Sequence, residues 1–120
     1  MKTVVVVGAS PKPERYSHMC LQLLIDLHYN AIPVAPCRDV ILGRKVFPTL
    51  GTVSGDIHTV TMYVGAERQA CMIDELICMK PKRVIFNPGS ENPAAYGRLR
   101  DAGIDVLEAC TLIMLRTGQF

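Results

Sequence analysis

The amino-acid sequence predicts an α/β domain built on a five-stranded parallel sheet. Short runs of β-branched and apolar residues alternate along the 120-residue chain with segments of helical periodicity. Turns rich in glycine and proline follow most of these runs. Strands that alternate with helices in this order form a parallel sheet with crossover helices on its faces. The expected architecture is therefore a Rossmann-like domain of three layers, with residues 1–120 as a single domain.

The predicted strands are short, and the first is the most apolar. Residues Thr3 to Val7 are all β-branched, which is typical of a strand buried on both faces of a sheet. Pro33 lies within the second strand and favours a position at the edge of the sheet or at the end of the strand. The predicted strands span residues 3–7, 31–35, 59–64, 83–86 and 105–108.

Helical periodicity places a helix after most of the strands. Asn30 is positioned to end the first helix in the left-handed conformation. Pro93 suits the first turn of the third helix, and Gly103 suits its exit. The predicted helices span residues 15–28, 67–79 and 93–102, and the partly apolar tail, 109–120, has the composition of a packed last helix. Residues 37–56 are predicted to be mostly loop, with room for one short helix.

Composition and charge argue against several classes of protein. Hydrophobic residues make up 49% of the chain and charged residues 20%, and the formal net charge is +2. These values are typical of a globular protein and give no argument for a nucleic-acid or membrane surface. The apolar run at the start of the chain is far too short for a signal peptide or a membrane span.

The cysteines predict free thiols in a reducing compartment, which we take to be the cytoplasm. Their number is odd and their spacing matches no zinc pattern, so neither a structural disulfide nor a metal site is expected. Three of them fall in helical patterns among apolar residues and are expected to be buried, namely Cys20, Cys71 and Cys78. The remaining two are Cys37 and Cys110.

The loops that follow the strands should carry the function, because they meet at one edge of a parallel sheet and ligands bind there where the strand order reverses. The first loop contains Gly8, Ser10 and Arg15. A small-residue turn before a helix directs backbone N–H groups at an anion, and an arginine pairs with phosphate. The alternative is a tight turn capped by Ser10. Two of the three glycines of the dinucleotide fingerprint are missing.

The later loops add weaker signals. Nicotinamide enzymes place an acidic residue after the second strand to hold the ribose, whereas this chain has Arg38, which suits a phosphorylated ribose. A solvated arginine is the alternative. Gly65 follows the third strand and would let a flat ring or an extended arm lie against the backbone. Asn87 and Gly89, after the fourth strand, offer hydrogen bonds to an amide-bearing arm, although both loops also have ordinary turn sequences.

Residues that would carry out catalysis are sparse. His18, His28 and His58 are scattered, and each is expected to have a structural or surface role. No serine, histidine and acid fall together after the strands. Glu91 is a weak candidate for acid–base chemistry, as is Glu108. Cys110 follows the last strand and is either a reactive thiol or, as residue type favours, a buried one.

Five segments, taken in order, resemble the small stand-alone bacterial CoA-binding proteins, which are related to the CoA-binding domain of the succinyl-CoA synthetase α subunit. The segments are VVGASPKPERY (6–16), IPVAP (32–36), ILGRKVFPTL (41–50), FNPGSEN (86–92) and EACTLIML (108–115). The resemblance covers nearly the whole chain. It implies a Rossmann-like fold with coenzyme A lying across the carboxyl edge of the sheet.

The resemblance also implies roles for individual residues. The phosphates would be held by Gly8, Ala9, Ser10 and Arg15. The adenosine end would be flanked by Val34, Pro36 and Arg38. The path to the pantetheine would be lined by Val64, Gly65, Asn87 and Gly89. The family commonly has asparagine where this chain has Ala35, which removes one polar contact to the adenosine end.

The hypothesis that we favour is a non-catalytic binding module for CoA or an acyl-CoA, acting as a sensor or carrier on a partner that the sequence does not identify. The domain of the ligase that carries its phosphorylated histidine has no counterpart in this chain, so ligase chemistry by the chain alone is not expected. Two alternatives stay open. One is an NADP-linked or CoA-dependent enzyme that uses Cys110 or Glu91. The other is an interaction domain that has kept the fold and lost the ligand.

Overall fold

The computed structural model describes residues 2–120. The strands are β1 (Thr3–Val7), β2 (Asn30–Val34), β3 (Val40–Ile41), β4 (Arg44–Lys45), β5 (Thr59–Met62), β6 (Arg83–Phe86) and β7 (Asp105–Glu108). The helices are α1 (Tyr16–Asp26), α2 (Ala70–Met79), α3 (Pro93–Asp101) and α4 (Thr111–Arg116), with 3-10 turns at Leu50–Thr52 and Ala66–Arg68. The five longer strands form one parallel sheet in the order β2-β1-β5-β6-β7. The predicted α/β class is confirmed.

The helices cover the sheet in two layers, and β1 shows how its residues divide between them. Val4 and Val6 pack with the apolar side chains of α1 and α4, whereas Val5 and Val7 pack with those of α2 and α3. All four valines are at most 1% exposed, as expected for a strand covered on both faces. The molecule is therefore a three-layer sandwich of helices, sheet and helices.

The order of the strands places a crevice above the centre of the sheet. The chain passes from β1 to β2 on one side and then crosses to the other side of β1 to form β5. The helices that follow β1 and β5 lie on opposite faces of the sheet. The loops at the carboxyl ends of these two neighbouring strands therefore diverge, which is where open α/β sheets bind their ligands.

The first helix ends earlier than the sequence predicted. His28, and not Asn30, has the left-handed backbone conformation, with φ 66°. Asn30 instead begins β2, where its side-chain amide donates a hydrogen bond to Thr3 Oγ1 at 3.1 Å. The pairing of β2 with β1 takes this residue into the sheet and overrides its preference for a helix end.

The connection between β2 and β5 contains more structure than predicted. Strands β3 and β4 form a small antiparallel hairpin, and both residues of its two-residue turn, Leu42 and Gly43, have positive φ. Positive φ at both positions is the requirement of a type I′ turn, which matches the twist of a hairpin. The expected short helix is present only as the 3-10 turn Leu50–Thr52.

All five cysteines are free thiols. Cys20 is buried as predicted, and burial raises its pKa to about 12. The prediction that Cys71 and Cys78 are buried was wrong, because both are exposed. Helix α2 turns Ile73 and Leu76 toward the sheet, and the two cysteines, seven residues apart in the sequence, share its solvent side.

Two further features are absent from residues 2–120. No group of three or more His, Cys, Asp or Glu side chains there is arranged to hold a metal ion. No helix in this part of the chain is both long enough and apolar enough to cross a membrane.

Candidate functional site

Gly8 lets the loop after β1 pack closely against the loop after β5 and against the end of β2. This residue has φ +87°, and a Cβ atom on it would lie 3.0 Å from both the carbonyl oxygen of Tyr63 and Cγ1 of Val64. Only glycine allows the loops after β1 and β5 to approach so closely. The N–H groups of Gly8 and Ala9 donate to the carbonyl of Val34, at 3.0 and 3.2 Å. These two groups therefore fix the loop to β2.

The start of α1 supplies N–H groups that have no helical acceptor. The first N–H to bond within the helix is that of Met19, which donates to the Arg15 carbonyl at 3.1 Å. The N–H groups of residues 16–18 come before this first bond and therefore have no acceptor within the helix. No side chain caps the helix. An 11-residue helix that presents such groups, with the positive end of its dipole, attracts an anion.

The conformation of the loop before α1 depends on Ser10. His18 Nδ1 lies 2.8 Å from the carbonyl of Ser10, and since a carbonyl only accepts, this nitrogen carries the hydrogen. The N–H of Lys12 donates to the hydroxyl oxygen of Ser10 at 3.2 Å. The structural role predicted for His18 is confirmed. The hydroxyl of Ser10 keeps its own hydrogen for donation.

A cleft of about 410 Å³ opens between the loops after β1, β2, β5 and β6, and we call it the anion cleft. It contains most of the predicted contact residues, namely Gly8, Ala9, Ser10, Arg15, Pro36, Val64 and Gly89. A smaller cavity of about 170 Å³ borders the same glycine from the side of β2. We call it the β2 cavity; its walls include Val34, Pro36 and Leu50. The two spaces share Gly8, Ala35, Pro36, Val64 and Arg68.

Arg68 is the cation that the sequence analysis missed. It ends the 3-10 turn after β5 and borders both the anion cleft and the β2 cavity. Its position in the loop after a parallel strand, close to Gly65, is the signal that would have identified it. Arg38 is exposed and lies outside the walls of both spaces, as does Gly65. The structure thus brings Arg15 and Arg68 to one cleft and leaves Arg38 outside its walls.

Asn87 is bonded within the protein rather than open to the cleft. Its Nδ2 donates to Thr61 Oγ1 at 2.7 Å and to the Met62 carbonyl at 2.9 Å, and its Oδ1 accepts from the N–H of Thr111 at 2.9 Å. Thr61 and Thr111 also bond through their hydroxyl groups at 2.8 Å. Because both amide hydrogens are used, Asn87 joins α4 to β5 and β6.

Gln69 performs the same task for the loops after β5 and β6, and the sequence analysis missed it. This fully buried side chain donates from Nε2 to the carbonyls of Val64 and Ser90, at 2.9 and 2.7 Å. Its Oε1 accepts from Asn92 Nδ2 at 3.1 Å. We call Gln69, Asn87 and Thr111 the interior latch. The bonds of Gln69 hold Val64 and Ser90, which both line the anion cleft, and so help to set its shape.

The two acidic candidates are also engaged in hydrogen bonds. Glu91 Oε1 accepts from the N–H of Gly89 at 2.8 Å, within a single turn. Glu108 accepts from the hydroxyl of Tyr96 at 2.8 Å. Burial, together with this bond to Glu108, raises the pKa of Tyr96 above its ordinary value. Both carboxylates therefore act as acceptors that order neighbouring groups.

A second cavity of about 380 Å³, which we call the α4 chamber, adjoins the anion cleft. The two spaces share Tyr16, Tyr63 and Pro88, and the chamber is completed by Asn87, Cys110, Leu112, Ile113 and Arg116. The phenolic oxygen of Tyr63 is buried, and within residues 2–120 it has no hydrogen-bond partner. Burial raises the pKa of Tyr63 well above its ordinary value. The phenol of Tyr63 therefore stays uncharged, and its ring lies between the anion cleft and the α4 chamber.

Comparisons with known proteins identify the family and the fold of the chain. Residues 2–116 match the sequence family described as a CoA binding domain. An uncharacterized Bacillus subtilis (strain 168) protein, YneT, is 31% identical over 106 residues, which are 88% of this chain and 78% of that protein. A crystal structure of another uncharacterized protein is 34% identical and has a TM-score of 0.93, covering 100% of this chain and 98% of that one. The dinucleotide forming acetyl-coenzyme A synthetase 1 of Ca. Korarchaeum cryptofilum shares the fold with 20% identity and a TM-score of 0.79, over 90% of this chain and 26% of that one.

Proposed function

The chain belongs to the family of CoA-binding domains, and from that premise we propose that it binds coenzyme A or an acyl-CoA in the anion cleft without catalysing a reaction. The observation that carries the proposal is the uncapped start of α1 at the point where the strand order reverses. Helix N-termini at such points bind phosphate groups. Arg15 borders the same space and adds positive charge.

The phosphates are assigned first. The pyrophosphate lies against the start of α1 and is held by Ser10 and Arg15, while Gly8 and Ala9 keep the backbone close. The 3′-phosphate is assigned to Arg68 ahead of Arg38, because Arg68 borders both the anion cleft and the β2 cavity. Arginine forms charge-assisted hydrogen bonds with phosphate through its planar fork of donors.

The rest of the ligand extends in two directions from the phosphates. The adenosine end occupies the β2 cavity, against Val34 and Pro36, whose side chains are among its walls. The pantetheine passes Val64 and then crosses the loop that carries Asn87 and Gly89, while Gly65 follows Val64 in the loop after β5 and lies outside the walls of both spaces. Since the amide of Asn87 is already bonded to Thr61, Met62 and Thr111, it positions this path rather than donating to the ligand.

The absence of catalysis is part of the proposal. Glu91 is held by the N–H of Gly89, and Cys110 lies in the α4 chamber without a neighbouring histidine among its described walls. We propose a sensor or carrier that acts in a reducing cytoplasm, and the five free thiols support that compartment. Acetyl-CoA incubated with the protein should remain intact, and its protein-dependent turnover would contradict this part.

The test of binding is calorimetric titration of the full chain with CoA, dephospho-CoA and NADPH. CoA should bind most tightly and raise the melting temperature, since a ligand at 100 times its Kd stabilises the folded state by about 2.7 kcal/mol. Dephospho-CoA should bind more weakly because it lacks the group assigned to Arg68. Binding of NADPH as tight as that of CoA would reject the assignment and favour the nicotinamide alternative.

A further inference from the structure

The α4 chamber continues directly from the anion cleft. Tyr16, Tyr63 and Pro88 border both spaces, so a ligand that leaves the cleft past these three residues enters the chamber. The far wall is formed by α4, through Leu112 and Ile113. A ligand anchored by its phosphates therefore has a second compartment of about 380 Å³ for its other end.

The walls of the chamber are mainly apolar. Tyr16 and Tyr63 contribute aromatic rings, while Leu112, Ile113 and Pro88 contribute aliphatic surface. Apart from the guanidinium of Arg116, the polar side chains of the wall offer few hydrogen bonds. The amide hydrogens of Asn87 are used inside the protein, and the unpartnered phenolic oxygen of Tyr63 is enclosed rather than exposed on the wall. A cavity of this kind selects its occupant by apolar contact.

The mouth of the chamber exposes large apolar side chains to water. Ile113 is 57% exposed and Tyr16 is 71% exposed. Arg116, also exposed, is the one charged residue among the described residues of the wall. Covering the two apolar side chains with an apolar group removes their surface from water, which is favourable in proportion to the area buried.

We propose that the α4 chamber holds the acyl chain of an acyl-CoA, so that the ligand class is an apolar acyl thioester rather than free CoA. The inference rests on the proposed function, since the phosphates in the anion cleft determine which end of the ligand reaches the chamber. The thioester lies near the shared wall of Tyr16, Tyr63 and Pro88, and the chain lies against Leu112 and Ile113. No bond is made or broken.

The test compares three ligands by calorimetric titration of the full chain: CoA, hexanoyl-CoA and adipoyl-CoA, whose chain has the same length but ends in a carboxylate. Hexanoyl-CoA should bind at least about tenfold more tightly than CoA, because several methylene groups leave water. Adipoyl-CoA should bind no more tightly than hexanoyl-CoA. Tighter binding of adipoyl-CoA would assign the chamber to Arg116 and overturn the apolar assignment.

A pair of variants separates the chamber from the cleft. Ile113→Gln changes an exposed side chain of the chamber wall and should reduce the preference for hexanoyl-CoA to about threefold or less, while the affinity for CoA itself is unchanged. Leu27→Gln is the matched control, since Leu27 is 47% exposed and lies outside the chamber. This variant should keep the full preference.

The outcomes distinguish this inference from the proposed function. If CoA itself does not bind, the proposed function fails. If CoA binds and hexanoyl-CoA binds no more tightly, only the acyl assignment fails. If Ile113→Gln keeps the preference but converts a dimer to a monomer in gel filtration, the chamber is an interface with a second copy of the chain and the inference is overturned.

Discussion

The anion cleft and the interior latch lie at the same edge of the sheet, yet their polar groups are used in opposite ways. At the start of α1, three N–H groups precede the helical ladder and no side chain caps them. In the latch, the side chains of Gln69 and Asn87 have their amide hydrogens bonded within the protein. The difference teaches that the existing hydrogen bonds of a polar group, and not its position alone, decide whether it faces a ligand.

Removing the latch should have the largest effect on stability. Asn87→Leu leaves the buried N–H of Thr111 without its acceptor and deletes the two bonds donated by the amide. At about 1 kcal/mol for each lost bond, and more for an orphaned buried group, the free energy of unfolding should fall by about 3 kcal/mol. Urea denaturation measures the change.

The control for the latch is Asn30→Leu. Asn30 is exposed and its side chain makes a hydrogen bond with Thr3, so this variant should cost less than about 1 kcal/mol. Equal losses at the two positions would contradict the special role given to the latch.

Gly8 belongs to the cleft, and its replacement should have an intermediate effect. Gly8→Ala should lower the free energy of unfolding by about 2 kcal/mol, because it adds a contact at 3.0 Å with the Tyr63 carbonyl to the strain of positive φ. Gly43→Ala has a similar φ, +74°, with nothing within 4 Å of the added Cβ, and should cost about 1 kcal/mol. Chemical denaturation compares them, and equal losses would show that the close approach at Gly8 is unimportant.

Changes to the arginines of the cleft should leave stability nearly unchanged and act on the ligand. Arg15→Ala should weaken CoA and dephospho-CoA alike by about tenfold, which is about 1.4 kcal/mol. Arg68→Ala should weaken CoA by a similar factor and leave dephospho-CoA unaffected. Arg38→Ala is the matched control, and calorimetry should find both affinities unchanged. Selective loss of CoA affinity in Arg38→Ala would move the 3′-phosphate to the loop after β2.

The fold and the walls of the cleft could be predicted because they depend on local pattern. The β-branched run of β1 and the small residues of the first loop are visible in the sequence. The latch could not be predicted, since its hydrogen bonds join residues of separate elements, Gln69 with Asn92 and Asn87 with Thr111. Gln69 immediately precedes α2 and Cys71 lies in its first turn, so the burial of one and the exposure of the other depend on how α2 is rotated about its axis. Sequence periodicity defines this rotation only approximately.

The pairing of β1 with β5 has a consequence for when the site comes into existence during folding. Val4 lies beside Thr59 in the sheet, so this central seam joins distant segments and has a high contact order, whereas α2 and α3 link β5, β6 and β7 by short connections. Non-local pairing is slow because the entropy of closing the intervening chain is lost before any contact forms. The anion cleft straddles this seam, with Gly8 on one side and Arg68 on the other. Neither half of the chain contains the site alone. During folding, ligand binding therefore becomes possible only after β1 has paired with β5.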